Sequence, residues 1–268
     1  MAEKIGLIAG NRKFPLLFCA GARKRGIDVV AVAIKGETST AINRLARKVY
    51  WLRLSEFKLM FDIFNSAGVK NVYMAGQVSP YRLFSREVLK SRDIQELLSN
   101  ILNKKADTIF SAIADKLKES GLVLSDSTVF VKEFMPGKGV LTEKCPDSVI
   151  SGDIEFGLSL AKSIGALDIG QTVAVKHKAI VAVEALEGTD NLIKRAGRLV
   201  RGGITVVKTA KPKQDMRFDV PVVGLKTVKT LIRSGAKCLA IEADRVLFID
   251  KDKSLALADK KGFIIVAV

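Results

Sequence analysis

Lys4-Ile5-Gly6-Leu7-Ile8-Ala9-Gly10-Asn11-Arg12-Lys13-Phe14-Pro15 is the stretch on which the fold turns. A short apolar run ending at Gly10 has the length of a buried strand. Apolar positions at helical spacing follow over 14–25, and then the β-branched run Asp28–Ile34. Strand, helix and strand in that order form a βαβ unit. Outward from it, Val49 and Trp51 predict a further strand. Phe57, Met60, Phe61 and Phe64 predict a helix over 56–66, and Asn71–Ala75 predicts a strand closed by Gly76. Strands separated by helices imply an open parallel sheet and an α/β fold.

Residues 85–120 have helical periodicity, first through Ile94, Leu97, Leu98, Ile101 and Leu102 and then through Ile109, Ile113 and Leu117. Residues 126–134 are expected to be extended. Pro136, Gly137, Gly139 and Pro146 then gather in 135–146, the expected linker between an N-terminal domain, 1–134, and a C-terminal domain, 147–268. The second half has another character. Runs at 172–175 and 179–185 flank a polar turn as an antiparallel hairpin would. Strands are expected at 204–207, Cys238–Ile241, 246–249 and 263–268, and helices at 153–164, 189–200 and 227–234. This is a mixed α/β order that does not repeat the first half.

Composition narrows the chemistry. With 268 residues and 48% hydrophobic content, the chain can bury two modest cores. Its longest apolar runs fall well short of the roughly 18 residues that span a bilayer. The N-terminal stretch lacks the basic and long apolar regions of a secretory leader, so a cytoplasmic location is expected. Cys19, Cys145 and Cys238 form no CxxC pair and are expected to be buried, inert thiols. A single histidine, His177, lies in an expected turn, which argues against multi-histidine zinc sites and His-centred triads. Carboxylates then remain as the candidate metal ligands, and they suit Mg²⁺ or Mn²⁺. The net charge of +16 is spread over both halves without a basic tail or RNA-binding motif. Solvated lysines, an anionic membrane surface or a phosphorylated substrate account for it better than nucleic acid.

Four segments could carry chemistry. Gly10, Asn11, Phe14 and Pro15 belong to a strand-to-helix turn whose backbone amides favour an anion, although an ordinary turn with proline in the first helical turn would look the same. The glycine spacing is not GxGxxG. Gly76 and Gln77 follow the fourth strand, at the edge where parallel sheets bind ligands. Glu187, Gly188, Thr189 and Asp190 join a strand to a helix. Thr189 or Asp190 could simply cap that helix, which leaves Glu187 unexplained. The run from Lys208 to Pro221 leaves a strand and passes two prolines, so it is a constrained loop. Such a loop can bring Asp215 and Asp219 to one cation while Lys208, Lys211, Lys213 and Arg217 neutralise phosphate. A solvated charge run has the same composition.

Taken together these segments resemble the LpxI-type UDP-2,3-diacylglucosamine pyrophosphatases. The resemblance runs through Gly10-Asn11-Arg12-Lys13-Phe14-Pro15, Gly76-Gln77-Val78, Gly139-Val140-Leu141-Thr142, Asp168-Ile169-Gly170-Gln171, Ala182 to Asp190, Lys211 to Gly224, and Ile241-Glu242-Ala243. Arg12 stands where the family usually has glycine, and Gln77 where it usually has lysine. The resemblance implies a Rossmann-like N-terminal domain and a C-terminal domain of a family-specific fold, with a lipid-linked UDP-sugar held between them. It also implies Mg²⁺-dependent attack of water on the sugar-side phosphorus, giving UMP and 2,3-diacylglucosamine 1-phosphate (lipid X). The expected catalytic residues are Asp219, Asp215 and Arg217, with Asp219, Asp215 and Glu187 as metal ligands. Gly10, Asn11, Phe14, Pro15, Gly76, Gln77, Gly188, Thr189, Asp190, Lys208, Lys211 and Gln214 are the expected substrate contacts. Expected partners are the cytoplasmic face of the inner membrane, peripherally, and a second copy as a homodimer. A nucleotide-binding oxidoreductase or regulatory module is the competing reading, suggested by the βαβ opening.

Overall fold

The computed structural model describes residues 3–79, 91, 95 and 106–268. They divide into two units, Met1–Val131 with Asp215–Asp219, and Lys132–Gln214 with Val220–Val268. The helical expectation carried by Ile94, Leu97, Leu98, Ile101 and Leu102 falls on residues outside those described.

Unit 1 contains β1 (Lys4–Ala9), α1 (Phe14–Lys24), β2 (Asp28–Ile34), β3 (Lys48–Leu52), α2 (Leu59–Ser66), β4 (Asn71–Ala75), α3 (Ala106–Glu119) and β5 (Val123–Leu124). The strands form a parallel sheet in the order β3-β2-β1-β4-β5. Both faces are covered, so the strands are nearly continuous apolar runs rather than alternating ones. On one face Val30, Val32, Val72 and Met74 pack with Met60 and Phe64 of α2 and Leu117 of α3. On the other, Phe18 of α1 meets Tyr73 and Phe130, with ring centroids 5.1 and 5.0 Å away. Strand order reverses between β1 and β4, which makes their carboxyl ends the topological switch point of the sheet.

Two expectations change here. Residues 126–134 are not extended but run through turns into a short 3₁₀ helix, Lys132–Phe134. Asp126 Oδ1 accepts from both the backbone N and the Oγ1 of Thr128, each at 2.7 Å, so a side chain closes the turn that a strand would have left open. The helix expected over 56–66 is split into a 3₁₀ turn, Leu54–Glu56, and α2.

Unit 2 contains β6 (Gly139–Val140), α4 (Ser148–Ala166), β7 (Thr172–Lys176), β8 (Ala179–Val183), α5 (Thr189–Leu199), β9 (Thr205–Lys208), β10 (Val222–Gly224), α6 (Leu225–Arg233), β11 (Cys238–Ile241), β12 (Leu247–Ile249), α7 (Lys251–Lys260) and β13 (Ile264–Ala267). Its six-stranded mixed sheet runs β6-β13-β11-β9-β7-β8, and β10 and β12 form a parallel pair of their own. Alternation sorts the core by face. Val206, Leu239 and Ile265 pack with α5, α6 and α7, while Val207, Ala240 and Ile264 pack with α4. Gly157 lets α4 approach closely, because a Cβ there would lie 2.7 Å from Val207 Cγ2. The expected hairpin is present: His177 and Lys178 both have positive φ, as a two-residue primed turn requires. Buried Asp153 on α4 accepts from His177 N at 3.1 Å and Lys178 N at 2.6 Å, which fastens the turn to the helix. Helix α7 was not expected. It buries only Ser254 and Ala258, too small a face to show as apolar periodicity.

The cysteines divide by environment. Cys19 and Cys238 are fully buried, and burial pushes both thiols up to about 12. Cys145 is exposed, contrary to expectation, because it lies in the loop before α4 where no element covers it. In the native protein, a thiol-reactive disulfide reagent at pH 8 should therefore label one cysteine quickly and two only on unfolding. Rapid labelling of Cys19 or Cys238 in native protein would contradict this packing.

Candidate functional site

In unit 2 the carboxyl ends of the strands collect polar groups. Lys208 ends β9 and is only 4% exposed, and Glu184, one residue past β8, is 7% exposed. Thr189, the first residue of α5, links them. Lys208 Nζ donates to Thr189 Oγ1 at 2.8 Å, and Thr189 Oγ1 donates to Glu184 Oε1 at 2.7 Å. Glu184 Oε2 is buried without a partner among the described residues. Gly188, at φ +79°, turns the chain so that α5 starts here, and the helix begins without a side-chain cap. Thr189 is thus engaged by the lysine and the glutamate rather than in capping. Asp190 does not cap either, because it accepts from Lys226 Nζ at 3.1 Å and Thr227 Oγ1 at 3.3 Å. A buried ammonium with one hydroxyl partner, beside the positive end of a helix dipole, is an arrangement that favours an anion.

The loop after β9 is fixed at its start by Glu242, which accepts from Lys162 Nζ at 2.6 Å and from Ala210 N at 2.7 Å. Further along, Lys211 Nζ donates to Asp168 at 2.7 Å and Lys211 N to Gln214 Oε1 at 2.9 Å. Glu187 pairs with Arg195 of α5, and this hydrogen bond holds its carboxyl below the usual range.

Asp215–Asp219 belongs to unit 1. Ser127, fully buried, donates through Oγ to Arg217 O at 2.6 Å and through N to Met216 O at 3.1 Å, and Phe218 packs against the core that contains Met60 and Phe64. Within this segment Asp219 N donates to Asp215 O at 2.9 Å, closing one helical turn. Arg217 grips the Asp215 carboxylate through Nε and Nη2, at 2.9 and 2.7 Å, and lowers its pKa.

Also in unit 1, the loops after β1 and β4 meet at the switch point. Asn11 N donates to Gln77 O at 2.7 Å. Gly10 and Gly76 permit this approach: a Cβ on Gly10 would lie 2.5 Å from Gln77 O, and one on Gly76 would lie 2.5 Å from Asn11 O. Their small size serves loop-on-loop packing. Glu37 Oε2 gathers donors from Asn11 Nδ2 at 2.6 Å and Ser79 Oγ at 2.9 Å, and Asn11 Oδ1 is left buried without a partner among the described residues. Phe14 and Pro15 are buried at the start of α1, whereas Gln77 is exposed.

Sequence reasoning missed several participants. Glu184 and Glu242 lie within quoted motifs but were given no role there. Lys162 and Glu37 carried no signal, because their partners lie 26 to 80 residues away. Among the described residues no three His, Cys, Asp or Glu side chains are grouped as a ready metal site. Magnesium needs only one or two carboxylates when substrate phosphates complete its shell. Of the three expected ligands, Asp215 and Glu187 each hold a guanidinium.

The Asp215–Arg217 pair gives a pH signature. Its folded pKa lies below the ordinary 3.8, so the stabilisation is present above that value and is lost as pH falls through the lowered one. Asp215→Asn should therefore be less stable than the parent at pH 7 and converge with it in acid. A stability difference that is unchanged between pH 7 and pH 2 would show that the pair is not the cause.

A family model described as the LpxI N-terminal domain matches residues 4–134, and one described as the LpxI C-terminal domain matches residues 137–266. The chain is 28% identical over 276 residues to the UDP-2,3-diacylglucosamine pyrophosphatase LpxI of Caulobacter vibrioides, covering 99% of this chain and 98% of that one. Among solved structures, the biotin carboxylase domain of a thermophilic 2-oxoglutarate carboxylase matches at a TM-score of 0.29 and 14% identity, over 65% of this chain and 35% of that one. The biotin carboxylase subunit of pyruvate carboxylase matches at 0.27 and 13%, over 69% and 36%. The chain thus spans about a third of either structure's length, and likenesses this slight carry no argument about fold or function.

Proposed function

We propose that this chain, which belongs to the LpxI family, hydrolyses UDP-2,3-diacylglucosamine to UMP and 2,3-diacylglucosamine 1-phosphate, a step in lipid A synthesis. The relative's activity supports the reaction. The observation that carries it in the structure is the buried Lys208 ammonium, bonded to Thr189 at the start of α5. Thr189 spends its proton on Glu184, so its oxygen accepts from Lys208 and holds that ammonium in one orientation. Two N–H groups of Lys208 then remain for a phosphate oxygen. Charge builds on the pyrophosphate as water attacks, and a fixed cation in a water-poor site stabilises it without reorganisation.

Asp219 is the carboxylate we assign to the attacking water, and it would also be the one to hold Mg²⁺. When bound, the ion supplies Lewis-acid polarisation of the phosphate. Asp215 supports this indirectly by orienting Arg217, whose guanidinium faces developing negative charge better when held still. The acyl chains of such a substrate lie in a bilayer. No helix among the described residues is long and apolar enough to cross one, so contact at the cytoplasmic face of the inner membrane would be peripheral.

Incubation with UDP-2,3-diacylglucosamine and Mg²⁺ should release UMP, and excess EDTA should abolish the release. Full turnover with metal content near zero would remove Mg²⁺ from the scheme, and no UMP under any condition would remove the reaction.

Asp219→Ala should lose kcat by about 10²–10⁴ while still binding the lipid nucleotide, because its contribution is felt mainly in the transition state. Asp215→Ala should lose less. If the two losses are reversed, the catalytic carboxylate is Asp215.

A further inference from the structure

Unit 2 has a second basic feature that this reaction leaves unused. An open cavity of about 620 Å³ is lined by Lys194, Arg198, Arg201 and Arg233, with glycines and a serine between them. It lies where α5 and α6 end. Since α5 begins at Thr189, its 11 residues put roughly 16 Å between the Lys208 cluster and the end of the helix at this cavity. Lys194 and Arg198 stand at i and i+4 on one side of α5, and Arg201, just past the end of that helix, lines the same cavity. No carboxylate lines the cavity, and among the described residues none of the four forms an ion pair.

Cations near a helix C-terminus often serve only to offset its carbonyls. Here Lys176 already does this, donating to Val200 O at 3.0 Å and Gly202 O at 2.9 Å. Two helix ends together amount to about one negative charge, against four cations. Like charges at i, i+4 destabilise a helix, and an anion in the cavity would relieve that. Arginine forks match phosphate oxygens two at a time. Leu199, 63% exposed, sits between Arg198 and Arg201 in sequence. A free phosphate has no use for an exposed leucine, whereas a lipid surface takes both the charge and the apolar side chain.

We propose that this cavity is a docking site for the phosphates of an anionic bilayer, with Leu199 entering the interfacial layer beside them. The proposal rests on the membrane-surface part of the proposed function and not on the reaction.

The test is co-sedimentation of the full chain with phosphatidylcholine vesicles with and without phosphatidylglycerol, beside hydrolysis of detergent-dispersed substrate. Arg198→Ala/Arg201→Ala/Arg233→Ala should lower binding to the anionic vesicles at least tenfold and leave hydrolysis in detergent unchanged. Lys4→Ala/Lys70→Ala/Lys118→Ala removes the same charge from unit 1 and should retain most of the binding. Leu199→Ser should lose the part of the binding that survives high salt. Equal loss in both triple variants would mean that overall charge acts and the cavity does not. Competition by millimolar inorganic phosphate, or loss of oligonucleotide binding with vesicle binding intact, would reassign the cavity to a soluble anion or to nucleic acid. If the parent chain binds no vesicles, the membrane reading itself falls, whatever the hydrolysis result.

Discussion

Burying Lys208 is the constraint around which unit 2 is arranged. Removing an ammonium from water costs several kcal/mol even after relaxation, and this one is 4% exposed. Two features offset that cost. Thr189 accepts from it, and Glu184 fixes the Thr189 proton from the other side. A helix start is an unfavourable neighbour for a lysine, because the dipole there is also positive. The combination makes physical sense as a place for negative charge to arrive. It also explains why Glu184 is close by without taking the ammonium directly: the hydroxyl between them keeps the lysine available.

Four carboxylates of the candidate segments can be sorted by what they already hold. Glu187 and Asp215 hold arginines, Glu242 holds a lysine and a backbone amide, and Asp190 holds Lys226 and Thr227. These acids build loops. Glu242 and Ser127 are the two anchors of the long segment after β9. Glu242 grips its start within unit 2, and Ser127 accepts from Met74 N while bonding the backbone of Met216 and Arg217 within unit 1. A loop of this composition would be solvated and mobile if its charges faced water. Its backbone is instead held at both anchors, and Lys211 and Asp215 have partners of opposite charge.

Fold was more legible than site. Lys4–Ala9, Asp28–Ile34, Asn71–Ala75 and Cys238–Ile241 are bounded in the structure as their apolar runs end in the sequence, because a strand buried on both faces needs an unbroken run. Where a local side chain or a small buried face decides, periodicity has little to show. Asp126 turns a stretch that looks extended, and α7 buries only a serine and an alanine. At the site, residue types were readable but partners were not. The Asp215–Arg217 pair spans two residues and still could not be told from two solvated charges. Lys162 and Glu242, paired at 2.6 Å, are separated by 80 positions.

A charge run therefore becomes informative only when its hydrogen bonds are known. The Lys208 to Pro221 loop contains four cations and two acids, which composition alone assigns equally well to water or to a phosphate. In the structure Lys211 reaches Asp168 and Arg217 reaches Asp215. Lys208 is buried against a hydroxyl, with no carboxylate in ion-pairing range among the described residues. A cation paired with a carboxylate has its field largely cancelled. One bonded to a neutral oxygen, with its nearest acid a hydroxyl away, keeps more of its field for an arriving anion. Lys208 is for that reason a fixed positive field inside unit 2, and a position where a phosphate would gain.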